Sequence, residues 1–125
     1  MAATKPKYDA ILIVESRGMA PGVRSLGLSQ QWTRLYHAAH YIIDLSTKLE
    51  GKTFTLYGHV LPANDGAPPS AGTALLTPEA DSAKTQETHL GSEGDFVFNL
   101  SAAGCYFISI DVSDAIMVLP KCCFA

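Results

Sequence analysis

Apolar residues in this chain recur at every second position in one short segment after another, and clusters of Gly, Pro, Asn, Asp and Ser separate the segments. Side chains alternate faces along an extended strand, whereas a helix needs its apolar positions three and four apart. Tyr41, Ile43 and Leu45 alternate with Ile42, Asp44 and Ser46, and Phe54, Leu56, Gly58 and Val60 alternate with Thr55, Tyr57 and His59. The same rhythm runs through Phe96, Phe98 and Leu100, and through Tyr106, Ile108, Ile110 and Val112. Strands at hairpin spacing predict an all-β fold: a single sandwich of seven to nine mostly antiparallel strands. Phe54, Leu56, Phe96, Phe98, Tyr106, Ile108 and Ile110 are its expected core.

The remaining segments fit around this frame. Ala10 to Val14 is a continuous apolar run and reads as a strand. Gly18 to Gly27 and Leu61 to Gly72 are rich in turn formers and read as loops. Leu28 to Ala39 satisfies both periods, and strand or irregular structure is the expectation there. The sandwich is placed at residues 10–120, with 1–9 as an N-terminal extension and 121–125 as a tail. With 47% hydrophobic and 17% charged residues over 125 positions, the chain has the balance of one folded domain. By surface scaling, roughly two-thirds of its surface is buried without disulfides or a metal.

The formal charge is −3. Phosphate neutralisation needs a concentrated basic surface, so a nucleic-acid partner is not expected. The charge is uneven: residues 1–50 hold six Lys or Arg against four acids, and residues 51–125 hold three Lys against eight. The five-residue apolar run at 10–14 ends at Glu15 and is too short for a signal peptide or a membrane span. A cytoplasmic location follows as an expectation, with Cys105, Cys122 and Cys123 as thiols. Their spacing does not suit zinc. His37, His40, His59 and His89 show no ligand or triad spacing, Ser16 and Ser25 lack a nucleophile elbow, and Glu87, Glu93, Asp95, Asp111 and Asp114 form no calcium loop. No catalytic residue, cofactor or metal is therefore expected.

Leu56-Tyr-Gly-His-Val60, the Gly72-Thr-Ala-Leu-Leu76 segment, Thr85 and Thr88 ahead of Gly94-Asp-Phe-Val-Phe98, and Ala103-Gly-Cys-Tyr-Phe-Ile108 together resemble the carboxypeptidase regulatory-like, or prealbumin-like, sandwich. Upstream, Leu12-Ile-Val-Glu-Ser16, Gly22-Val-Arg-Ser25, Arg34-Leu-Tyr-His-Ala38 and Tyr41-Ile-Ile-Asp-Leu45 resemble the region that follows the zinc-binding helices in bacterial anti-sigma-factor-like proteins. Glu15 stands where that family is expected to carry Asp. Its His-x-x-x-Cys-x-x-Cys module, which clamps the sigma factor, has no counterpart here. A hydrolase of the prealbumin-like class would need a terminal Tyr-Arg-Gly-Ser, and this chain ends Lys-Cys-Cys-Phe-Ala.

The resemblance and the charge pattern together imply a non-catalytic protein-interaction or regulatory module, in a bacterial sigma-factor or stress-response circuit. Its partner would be another protein: a sigma factor, a protease or a regulatory protein. The contact is placed in the Glu15-to-Arg34 region, on Arg17, Arg24 and Arg34, with Tyr57, Phe107 and Ile42 as exposed apolar contacts. The alternative is a small-ligand or carbohydrate-binding sandwich with Trp32 and Tyr36 stacking on the ligand.

Overall fold

The computed structural model describes residues 5–18, 31–50, 53–64, 66, 68–69, 71–100 and 104–124. These form eleven strands: β1 (Lys7–Asp9), β2 (Ile11–Gly18), β3 (Gln31–Ala38), β4 (Tyr41–Glu50), β5 (Thr53–Pro62), β6 (Gly72–Pro78), β7 (Gln86–His89), β8 (Asp95–Leu100), β9 (Gly104–Val112), β10 (Ala115–Val118) and β11 (Cys122–Phe124). A single 3-10 turn at Ser82–Lys84, capped by Asp81, is the described helical element. The expected all-β sandwich is what forms, with more strands than expected. The excess lies partly in the segments read as extension and tail, each of which supplies one three-residue strand. Pairing to a neighbour, not local pattern, makes such short pieces strands.

One sheet has the order β1-β10-β9-β6-β7, with β11 also paired to β9; the other has the order β2-β3-β4-β5-β8. All pairs are antiparallel except β1 with β10. The chain changes sheet at Ala10, whose N–H donates to the Val118 carbonyl at 2.7 Å. It changes again between β5 and β6, at the Gly91–Gly94 turn, and between β8 and β9.

Alternation fixes what lies between the sheets. Tyr41, Ile43 and Leu45 of β4, Leu56 and Val60 of β5, and Phe96, Phe98 and Leu100 of β8 face Ala74 and Leu76 of β6, Tyr106 to Val112 of β9 in alternation, and Met117 of β10. Six of the seven expected core residues are buried, and Phe54 is partly buried against the same cluster. At one end of the sandwich the β3–β4 turn places Ala39 at φ 54, a left-handed conformation. His40, next in that turn, reaches Asp114 of the β9–β10 turn at 3.0 Å, and the Tyr41 hydroxyl donates to the same carboxylate at 2.9 Å. Two hairpin turns, one from each sheet, are thereby joined.

The expectation of three thiols does not hold. Cys123 lies directly across from Cys105 in the β11–β9 register, and the two form a disulfide, while Cys122 remains a buried thiol. Pairing was hidden because it depends on the tail being a strand. None of the described helical structure is long and apolar enough to cross a membrane.

Candidate functional site

The edges of the two sheets are not treated alike. β7 ends its sheet with exposed Gln86, Glu87 and His89, β1 ends the same sheet with Lys7 and Asp9, and β8 carries Asp95 and Asn99 on its outward side. Charged and polar residues of this kind protect an unpaired strand from adding another. β2 differs from these three. Ile11, Leu12, Ile13 and Val14 are 67%, 41%, 52% and 50% exposed, four consecutive apolar residues on a strand that pairs with β3 alone among the described residues. A continuous apolar run is the pattern of a strand covered on both faces, and here the described residues leave it exposed.

Local geometry shows how the run comes to lie there. Ile11 pairs with His37 and Leu12 with Tyr36, then the register shifts, so that Val14 pairs with Leu35 and Glu15 with Arg34. Ile13 is the extra residue of a β-bulge. Without that shift Glu15 would fall opposite Thr33, on the outer face. With it, Glu15 joins the inner face and meets Arg34, whose Nε donates to Oε2 at 2.5 Å. The ion pair holds β2 to β3 just past the apolar run.

Behind it runs a buried polar chain. Arg34 Nη1 donates to the Tyr36 hydroxyl at 3.5 Å, that hydroxyl lies 3.2 Å from Cys122 Sγ, and Sγ donates to the Pro120 carbonyl at 3.3 Å. Burial raises the pKa of the Tyr36 phenol, helped by the bond to Cys122. Burial likewise pushes the Cys122 thiol up, against the opposing effects of Tyr36 and the Arg34 charge. With no exposed area, this thiol packs as a core group in the sandwich.

On the outer face of the five-stranded sheet, Ile11 continues across the register into His37, Ile42 and Leu61, and Val14 into Leu35. Tyr57 and Val97, 41% and 45% exposed, sit opposite each other at the far side of this face. This outer face has apolar residues on all five strands.

These placements correct several expectations. Arg34 is 8% exposed and paired with Glu15, so it is a structural cation and not a contact residue. Arg17 lies in β2 across from Trp32, and Arg24 with most of the Gly18-to-Gly27 loop lies outside the described residues. Tyr57 and Phe107 are both exposed as expected, and Ile42 is half-buried. Tyr57 is on the outer face of one sheet and Phe107 on the outer face of the other, so one partner surface does not include both. Tyr36, 1% exposed, has no face free to stack on a sugar. The four histidines do not converge: His37 lies on the outside of β3, His40 is in a turn, His59 Nε2 is 2.7 Å from the Glu93 carbonyl, and His89 is on β7. Among the described residues, no three of His, Cys, Asp and Glu are grouped to hold a metal ion.

No family model, no curated protein and no solved structure matches the chain. The apolar edge is the feature that sequence reasoning missed. These residues read as a strand, but a run of four apolar residues carries no signal telling an edge from an interior position.

Proposed function

We propose that this chain is a non-catalytic protein-interaction module whose docking element is β2, which accepts an extended, apolar strand of another protein. One observation carries the reading: Ile11 to Val14 are four consecutive exposed apolar residues on an edge strand, while β1, β7 and β8 carry charged residues among their described positions. Strand addition satisfies the free backbone groups of such an edge and lets alternate side chains of the guest cover apolar residues on both faces. The adjoining outer face, with Leu35, Ile42 and Tyr57, extends the apolar surface available to that guest. The carbohydrate-binding alternative is weakened by the burial of Tyr36. A place in a bacterial sigma-factor circuit rests on the sequence resemblance alone.

The test uses a photo-crosslinking residue at position 13, with position 97 on the opposite edge strand as control, and a synthetic peptide of alternating Val and Thr as a defined guest. Crosslinking to the peptide at 13 and not at 97 is the expected result. Ile11→Lys with Ile13→Lys introduces charge at the edge and is expected to weaken peptide binding at least tenfold, about 1.4 kcal/mol. Both positions are exposed, so unfolding free energy should change by no more than about 0.5 kcal/mol. Equal crosslinking at 13 and 97, or binding indifferent to the two lysines, would remove β2 from the proposal. Sedimentation would reveal a second copy of the chain occupying the edge instead.

A further inference from the structure

We infer that the Cys105–Cys123 disulfide is a redox latch: it holds β11 on β9 and keeps the Cys122 thiol buried, and its reduction by a dithiol opens the chain end locally while the sandwich stays folded. The inference is independent of the docking role of β2.

Adjacent residues on a strand point to opposite faces. Cys123 is therefore on the outer surface, exposed and bonded to the partly buried Cys105, while Cys122 points between the sheets with no exposed area. A reductant in solution can reach the first and not the second. β11 is three residues long and pairs with β9 alone, through Cys122 with Tyr106, Cys123 with Cys105 and Phe124 with Gly104. Pro120, just before it, has no N–H to donate. The segment is also tied by the Leu119 N–H on the Ile108 carbonyl, which fixes the end of the preceding stretch, by an exposed ion pair of Lys121 with Glu79 at 2.9 Å, and by the buried Cys122 side chain, whose Sγ meets the Tyr36 hydroxyl and the Pro120 carbonyl. So short a ladder belongs to the part of a fold that opens most readily, and the cross-link is what suppresses opening.

The chemistry balances with a dithiol as co-reactant. Its thiolate attacks Cys123 Sγ, the more exposed sulfur; the S–S bond breaks, and Cys105 leaves as a thiolate that takes up a proton. The second thiol of the reductant then displaces Cys123 from the mixed disulfide. Two electrons pass to the protein, and the dithiol is released as its own disulfide. When β11 then lifts away, Cys122 leaves the Tyr36 hydroxyl, and the buried chain that ends at Arg34 meets water.

Maleimide labelling of Cys122 reads this directly. In the oxidised protein Cys122 should label slowly. In the Cys105→Ser/Cys123→Ser variant it should label roughly a hundredfold faster, the factor by which closing a loop of this length suppresses opening. Amide exchange at 106–112 should remain slow throughout, which distinguishes local opening from unfolding. Should the variant fail to fold, the wild-type protein is reduced in place with dithiothreitol and amide exchange at 122–124 is compared with that at 106–112. Cys122 protection unchanged after loss of the cross-link, or simultaneous exposure of β9 and β11, would overturn the latch. So would three reactive thiols in the protein folded under air.

Discussion

Phe98→Ala is expected to lower the unfolding free energy by about 3–5 kcal/mol. The ring is 2% exposed, stands across from Leu56 in the β5–β8 register, and meets Phe96 edge-on with centroids 5.9 Å apart at 69°. Truncation removes the transfer energy of the ring, the aromatic contact and the packing of the walls around the hole, and two opposed sheets cannot close over the space without shifting their strands. Against a typical total of about 5–15 kcal/mol the loss is a large fraction of the stability. In a domain of this size it corresponds to a fall in Tm of roughly 10–20 °C. Val97→Ala is the matched control. Its side chain is on the same strand but on the outer face, 45% exposed, and the change should stay within about 1 kcal/mol. Urea unfolding of both variants decides the matter: similar losses for the two would mean that the inward face of β8 is misassigned.

The contrast between these neighbours was legible in the sequence, because the period of two that sorts Phe96, Phe98 and Leu100 from Val97 and Asn99 is a local property. What was not legible depended on which strands become neighbours. Arg34 looked like any surface arginine until the bulge at Ile13 shifted β2 by one residue and brought Glu15 onto its face. The local period turns Tyr57 and Phe107 outward, yet their separation onto opposite sheets depends on the strand order. The cysteine pairing required the last few residues to be a strand in register with β9, a fact with no signature in three residues after a proline. The exposure of Ile11 to Val14 ran against local pattern altogether. One segment that departs from an otherwise consistent sequence is where the proposed strand addition would act, since a guest strand would cover the side chains that β2 leaves exposed.

Gly58→Ala is expected to cost about 2–3 kcal/mol, although alanine ordinarily stabilises a strand relative to glycine by removing backbone freedom from the unfolded chain. The reason is Phe96. A Cβ at position 58 would stand 2.0, 2.3 and 2.5 Å from three atoms at the far end of that ring, which lies across the glycine from the paired strand. An aromatic ring filling the space over a cross-strand glycine is a recognised way of completing a sheet face. A ring end can normally swing aside. This one is 3% exposed and in edge contact with Phe98, so to move it must leave a packed core or push β8 outward. The cost therefore belongs to the pair and not to the glycine, and a double-mutant cycle isolates it. In a Phe96→Ala background the clash is gone and Gly58→Ala should become neutral or stabilising by a few tenths of a kcal/mol, giving a coupling of about 2 kcal/mol or more between the two sites. Unfolding midpoints at unchanged denaturant slope supply all four corners of the cycle. An equal cost of Gly58→Ala in both backgrounds would place its origin in the backbone of β5, and the account of this close approach would fall.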